Sequence, residues 1–309
     1  MTKVFIDGSV GTTGLRIHER LSGRDDLELV TLPEELRKDS AARKEIINSV
    51  DVVFLCLPDD AAREAVAMTE SPDVVIIDTS TAHRTENGWA YGFPELSEEF
   101  YEKVRTSKRI AVPGCHASGF AALVFPLVEA GLLPKDASLT CHSLTGYSGG
   151  GKKMIAEYND TSRDPLLNAP RQYGITQQHK HLKEMKAICG LDKAPLFSPI
   201  VADFYSGMEM TVPLFSQQLG GASPEEVAEI YKAKYNGPVV RFSNDTAVPG
   251  FISAAELSGL DSMRIGVFGN QDRMILTAVY DNLGKGASGA AVECLNIVLG
   301  ASPTKGLQL

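Results

Sequence analysis

The chain reads as an α/β protein: a Rossmann-like doubly wound parallel sheet, followed by an α+β domain with a mostly antiparallel sheet. Three observations predict this. The first hundred or so residues alternate apolar strand runs with helical stretches. Runs such as "VVFLCL" and "VVIID" are apolar at nearly every position, as strands buried on both faces are. After about residue 135 the texture changes to longer, alternating strands with few helices between them.

Taken in order, the parallel strands are expected at Lys3–Asp7, Leu27–Leu32, Val52–Leu57, Val74–Asp78 and Arg109–Val112. "HASGFAALVFPLVEAG" then predicts a long helix. The second domain draws its strands from "SLTCHSL", "PLFSPIVADFYSGMEMTVPLF", "PVVRFS", "RIGVFGN" and "RMILTAVYD". "SPEEVAEIYKAKY" is the exception, with Ser223 as N-cap, Pro224 at the first helical position and acidic residues in the first turn. The small-residue helix in "NLGKGASGAAVECLNIVLG" is expected to pack back on the first domain. The boundaries follow: a dinucleotide-binding domain over 1–114 completed by the C-terminal helix 283–309, and a catalytic, substrate-binding and oligomerisation domain over 115–282.

At 309 residues the chain has room for two domains, and 43% hydrophobic with 22% charged residues is the composition of an ordinary soluble globular protein. A net charge of −9 argues against nucleic acid or an anionic membrane as partner. An anionic substrate then needs local Arg or Lys. Five cysteines without CxxC spacing make neither a disulfide framework nor a zinc site, and no metal is expected. "MTKVFIDG" starts a strand rather than a signal peptide, and no apolar run reaches the ~20 residues of a membrane span. A reducing cytoplasm is the simplest compartment.

"VFIDGSVGTTGLRIHERL" places Gly8, Gly11 and Gly14 between the first strand and a helix, with Val10, Thr12 and Thr13 completing the turn. Such glycines let backbone approach a pyrophosphate while the helix N-terminus supplies donors. The spacing is GxxGxxG rather than GxGxxG, and an ordinary glycine-rich turn is the alternative. Beyond the second strand, Glu34 and Glu35 favour NAD while Arg37 and Lys38 favour the 2′-phosphate of NADP, so the residues leave that choice open. In "IAVPGCHASGF", Cys115 falls at a strand-to-helix turn, where amides and helix dipole favour a thiolate. A nucleophile and a buried structural cysteine are both open readings there.

Several motifs together carry a resemblance: "GSVGTTG", "DVVFLCLP", "IDTSTAHR", "YGFPEL", "VPGC", "SLTGYSGGGKK", "QHKHLKEM" and "YDNLGKGASGAAVECLNIVLG". On these the chain resembles the shorter group of N-acetyl-gamma-glutamyl-phosphate reductases, arginine-biosynthesis enzymes related to aspartate-semialdehyde dehydrogenases. The resemblance implies reduction of an acyl phosphate with NADP(H), Cys115 as nucleophile and His179 as acid/base, with His181 supporting it. It matches Arg84 to an arginine that suits a substrate anion and sets Asn282 toward the nicotinamide carboxamide. Lys152, after three glycines, is a further substrate candidate, with a hairpin turn as the alternative. One departure stands out: Ser206 occupies a position that is arginine in longer members.

The chemistry is coherent on its own terms. Hydride does not readily reduce an acid but does reduce a thioester, and phosphate is a good leaving group for a thiolate. Rival readings are an aspartate-semialdehyde dehydrogenase-type reductase of another acyl phosphate, an aldehyde dehydrogenase in which water resolves the thioester, and a dinucleotide-binding sensor. The expected partners are a small-molecule substrate and other copies of the chain, as a dimer or tetramer.

Overall fold

The computed structural model describes residues 1–309, which divide into two compact units. The first takes in 1–94, 98–113 and 287–307; the second takes in 95–97, 114–286 and 308–309.

The first unit begins with β1 (Thr2–Asp7), α1 (Thr12–Leu21), β2 (Leu27–Val30), α2 (Ser40–Ser49), β3 (Val52–Leu55), α3 (Asp59–Met68) and β4 (Val75–Asp78). β5 (Ala90–Tyr91), α4 (Glu98–Thr106) and β6 (Arg109–Ala111) follow. The sheet order is β2-β1-β3-β4-β6-β5, and every pairing is parallel. All five expected strands are present, each a residue or two adrift at its ends. The two-residue edge strand β5 had no pattern long enough to announce it.

Alternation across the strands shows why the runs are apolar throughout. Val4, Ile6, Val52, Phe54, Val75 and Ile77 face one hydrophobic cluster. Phe5, Val53, Leu55 and Ile76 face another, filled from α2 and α3 by Ile46, Ile47, Ala62 and Ala65. A strand sandwiched this way has no solvent face to mark with polar residues.

The second unit opens with α5 (Cys115–Glu129), then β7 (Thr140–Gly146), α6 (Gly151–Asn159), β8 (Arg171–Gln172), α7 (His181–Ile188), β9 (Leu196–Ala202) and β10 (Met208–Phe215). It continues with α8 (Pro224–Lys234), β11 (Val240–Phe242), β12 (Met263–Gly269) and β13 (Arg273–Tyr280). The seven-stranded sheet runs β11-β12-β13-β10-β7-β9-β8. Its pairings are antiparallel except β7 with β9 and β11 with β12. α8 carries the expected cap: Ser223 accepts from the Glu226 amide at 3.2 Å while Glu226 accepts from the Ser223 amide at 2.8 Å. Two helices escaped the sequence reading. α6 and α7 each have only eight or nine residues, with polar faces that read as loop.

α5 is buried nearly throughout and packs on β10, β13, α7 and α8. Pro126 lies inside it and has no N–H for the carbonyl of Ala122. The Tyr235 hydroxyl donates to that carbonyl instead, at 2.8 Å, and Tyr231 donates to the neighbouring Leu123 carbonyl at 2.5 Å. Both phenols are buried, and each thereby finds the partner that a buried hydroxyl needs.

The chain then turns through a π-helical segment, Gly284–Ser288, and returns to the first unit as α9 (Gly289–Val298), which packs on α1, α4 and β4. Its Ala290, Ala291, Val292, Leu295 and Ile297 complete the first cluster.

Candidate active site

The glycine turn is shaped by close contacts. Gly8 adopts φ +87°, and a Cβ there would lie 2.3 Å from the Cys56 carbonyl oxygen. A Cβ on Gly14 would lie 2.5 Å from the Gly8 carbonyl oxygen, so β1, β3 and α1 meet only because these positions lack side chains. Gly11 is the N-cap of α1 and no side chain caps the helix, so the amides of Thr12 and Thr13 keep their donor capacity for a ligand. Beside the turn lies a cavity of about 800 Å³ lined by Gly8, Val10, Glu34, Glu35, Arg37 and Lys38, among others. The turn sits at the C-terminal ends of β1 and β3, where the strand order reverses, which is where such sheets bind ligands. Backbone donors, missing side chains and cavity size all fit a dinucleotide.

Arg84 lies in the same unit, just beyond β4. Asp78 organises the loop that carries it: this buried carboxylate accepts from the Ser80 amide at 2.9 Å, the Ser80 hydroxyl at 2.7 Å and His83 Nδ1 at 2.6 Å. His83 in turn stacks on Trp89 with centroids 4.1 Å apart. Arg84 Nε donates to the Val112 carbonyl at 2.8 Å and Nη2 to the Thr79 carbonyl at 2.9 Å. The guanidinium is thus oriented by backbone at the ends of β6 and β4, a support that the sequence did not reveal.

Cys115 is the first residue of α5. Gly114 is the N-cap and no side chain caps the helix, which leaves first-turn amides beside the sulfur. Three contacts fix the backbone there. The Gly114 amide donates to Glu184 Oε1 at 2.8 Å, Tyr280 donates to the Cys115 carbonyl at 2.6 Å, and the Gly119 amide donates to Tyr280 at 3.2 Å. A Cβ on Gly286 would lie 3.1 Å from the Cys115 Cβ, so glycine lets the π-helical turn pass. Cys115 is half-buried. Burial pushes the Cys56 thiol up to about 12 and raises Cys141 and Cys189 further, so none of those three makes a ready thiolate.

His179 lies within a cluster of three histidines. Its ring is 5.5 Å from that of His116, the residue after Cys115, and 4.8 Å from that of His181. His179 Nδ1 accepts from the His181 backbone amide at 3.2 Å, which leaves the neutral ring its proton on Nε2. His181 therefore supports His179 through its amide, and its buried ring is 5.5 Å from that of His116. The loop before His179 is pinned by Gln177, whose φ of +57° is unusual for a non-glycine residue. Its side chain donates to the Phe197 carbonyl at 2.8 Å and accepts from the Phe197 amide at 2.9 Å. Burial, then the charge of Lys180, holds His179 down to about 4. Burial, then His179, holds His116 down to about 3.

Sequence reasoning passed over His116, Ser143 and Tyr173. His116 Nδ1 pairs with the Ser143 hydroxyl at 2.7 Å and Nε2 with the Tyr173 hydroxyl at 2.6 Å. Burial, then the charge of Cys115, raises the Tyr173 phenol. The adjacency "CH" was the one available signal for His116; nothing local marks the other two.

Lys152 is exposed in the first turn of α6, so a helix start replaces the hairpin alternative. Asn282 uses its amide within the second unit, accepting from the Gly207 amide at 2.9 Å and donating to Ser148 Oγ at 3.0 Å. Ser206 donates to the buried Asp281 at 2.8 Å and pairs with Ser258 at 2.7 Å, serving the turn rather than an anion. No group of three or more His, Cys, Asp or Glu side chains is arranged to hold a metal, and no helix is long and apolar enough to cross a membrane.

A parallel nucleotide-binding sheet and a mixed sheet bearing a cysteine at a helix start define the semialdehyde dehydrogenase class. The family models agree: residues 30–104 match the semialdehyde dehydrogenase NAD binding domain and 115–282 the semialdehyde dehydrogenase dimerisation domain. Solved structures share the fold, among them aspartate semialdehyde dehydrogenase II from Vibrio cholerae, with TM-score 0.73, 17% identity, 97% of this chain and 99% of that one covered. Aspartate semialdehyde dehydrogenase with NADP from Candida albicans aligns with TM-score 0.68 at 18% identity over 97% of this chain and 99% of that one. Within the class, the chain belongs to the N-acetyl-gamma-glutamyl-phosphate reductases. The reductase of Rhizobium meliloti is 45% identical, covering 97% of this chain and 99% of the relative. N-acetyl-gamma-glutamyl-phosphate reductase 2 of Pseudomonas putida is 44% identical, covering 98% of each.

Proposed function

We propose that the chain reduces N-acetyl-γ-glutamyl phosphate to N-acetylglutamate semialdehyde, releasing phosphate, in arginine biosynthesis in the cytoplasm. The observation that carries this is Cys115 at the uncapped start of α5, in the same unit as the His116–His179–His181 cluster. The names of relatives matched over nearly the whole chain support the choice of acyl group.

Amides of the α5 first turn favour Cys115 as thiolate, which attacks the acyl carbon and displaces phosphate to form a thioester. The uncapped turn Gly8–Gly14 holds the pyrophosphate of a nicotinamide cofactor. That cofactor supplies the hydride that brings the acyl carbon to the aldehyde level. Arg37 and Lys38 line the cavity and favour a 2′-phosphate, hence NADP(H). Neutral His179 presents Nε2 as the proton-carrying atom, exchanging the proton that aldehyde release requires. Arg84, already aimed by two carbonyls, binds the phosphoryl group, and Lys152 adds positive charge for the incoming anion. Asn282, which holds Ser148 of the 146–149 turn, would contact the nicotinamide carboxamide. The second unit also supplies the contact between copies, through the sheet face where Phe215 and Ile275 are exposed.

Run in the oxidising direction, the enzyme is expected to require inorganic phosphate or arsenate together with NADP and N-acetylglutamate semialdehyde. Turnover without either anion overturns the proposal in favour of a water-resolved thioester. Faster turnover of aspartate semialdehyde overturns the choice of acyl group.

A further inference from the structure

We infer that the Tyr173 hydroxyl donates a hydrogen bond to the acyl oxygen of the Cys115 adducts, with His116 and Ser143 as its positioning residues. The inference rests on the thioester chemistry proposed above and names the group that meets the charge this chemistry creates on oxygen.

The protons of the network decide which way it points. Ser143 lies on β7 and is fully buried, and its hydroxyl has one partner, His116 Nδ1 at 2.7 Å. A buried hydroxyl hydrogen without an acceptor is destabilising, so Ser143 donates and Nδ1 accepts. Burial, then His179, keeps the His116 ring neutral, so its single proton is on Nε2. Nε2 then donates to the Tyr173 oxygen at 2.6 Å. The phenol therefore accepts from His116 and keeps its own hydrogen, for which the protein offers no acceptor. With the opposite tautomer the stranded hydrogen would belong to Ser143, inside the core, rather than to the half-buried Tyr173.

The phenol stands among the reacting groups. His116 follows Cys115 in the first turn of α5, and the Tyr173 ring lies 6.0 Å from that of His179. After burial, the charge of Cys115 raises the phenol further, so it remains protonated and a donor at neutral pH. Its backbone extends β8 through an amide bond to the Pro199 carbonyl at 3.0 Å, and its ring packs with Tyr158, Leu167, Val201 and Tyr147, so the hydroxyl is held in place before substrate arrives. Thiolate addition forms the C–S bond and moves the C=O pair onto the acyl oxygen, and the pair returns as the C–O bond to phosphate breaks. Hydride delivery to the thioester carbon moves a pair onto the same oxygen again. It returns as the C–S bond breaks, the sulfur leaving with the bonding electrons. A neutral phenol adds little to the binding of a carbonyl and more to that of an alkoxide, so its stabilisation falls on the transition states. Hydrogen bonds in series polarise one another, so Ser143 and His116 strengthen the donor as well as aim it.

The test runs the reaction in the oxidising direction with phosphate, NADP and N-acetylglutamate semialdehyde. Tyr173→Phe should lower kcat by roughly a hundredfold with KM for NADP unchanged, the scale of one lost oxyanion donor. Unchanged kcat overturns the inference. Ser143→Ala should lower kcat roughly three- to tenfold, the scale of one neutral hydrogen bond, and should change nothing in the Tyr173→Phe background, because Ser143 acts only through the phenol. An equal loss in both backgrounds makes Ser143 a packing residue and overturns its positioning role. A second readout needs no turnover. Propanal adds to the Cys115 sulfur as a thiohemiacetal and shields it from iodoacetamide. Tyr173→Phe should leave the labelling rate without aldehyde unchanged and raise the half-protecting propanal concentration several-fold. A changed rate without aldehyde places the hydroxyl on the sulfur and overturns the inference, as does equal protection in the two proteins. Wild type inert to N-acetylglutamate semialdehyde overturns the functional reading instead, and the propanal result then decides Tyr173 by itself.

Discussion

Acidification should destabilise the second unit through buried His116 and half-buried His179, and His116→Gln should remove the larger part of that sensitivity. Burial holds His116 down to about 3 and His179 to about 4, against 6.5 for a free imidazole. Both rings are neutral in the folded chain above those values, whereas the unfolded chain takes up protons as soon as pH falls below 6.5. Their contribution is therefore complete above pH 6.5 and is lost progressively as pH falls toward the folded values. At pH 5 the unfolded chain is favoured at His116 by about 1.5 pH units of proton binding, the distance of pH 5 below the free value of 6.5. At about 1.4 kcal/mol per unit this is roughly 2 kcal/mol for buried His116, and half-buried His179, screened by solvent, adds less. Glutamine keeps a donor and an acceptor near Ser143 and Tyr173 but does not titrate. Denaturant unfolding followed by circular dichroism from pH 8 to pH 5 should show wild type losing about 2 kcal/mol more than His116→Gln. The comparison is of slopes, so a uniform destabilisation by the substitution does not enter. Parallel stability profiles for the two proteins would refute the assignment of His116 as a buried neutral imidazole.

Three further outcomes follow from the site. Cys115→Ser should leave NADPH binding intact and abolish turnover, and iodoacetamide should label Cys115 ahead of the raised thiols Cys56, Cys141 and Cys189; peptide mapping that finds one of these first sinks the assignment. His179→Asn should lower kcat by roughly a hundredfold with little change in KM for NADPH, and the acidic limb of the wild-type profile should lie well below pH 6 because burial holds the imidazole near 4. A limb at the ordinary imidazole value, unaltered in the variant, would remove His179 from that role. Arg84→Lys should raise KM for the acyl phosphate at least tenfold and disturb the 79–84 loop, since lysine cannot hold the Val112 and Thr79 carbonyls and still present a fork. Unchanged kinetics would make Arg84 purely a loop support.

The parts of this protein that the sequence determined are those governed by near neighbours. Strands buried on two faces must be apolar at every position, so β1, β3 and β4 announce themselves without their partners. Gly8 and Gly14 mark a turn because Gly8 takes φ +87° and a Cβ on Gly14 would strike the Gly8 carbonyl, and "VPGC" marks a helix start because Gly114 leaves that end uncapped. The tertiary structure decided what depends on distant segments. His116 is an unremarkable helical residue until residues 143, 173 and 179 close around it, and burial, then the nearby His179, makes it a neutral group. Arg84 gains its orientation from carbonyls that only strand pairing brings within reach. Arg163 and Arg171 are indistinguishable by local context. One finds Asp203, forty residues away, and the other finds only the ring and hydroxyl of Tyr158, because a counter-ion is assigned by packing and not by position in the chain.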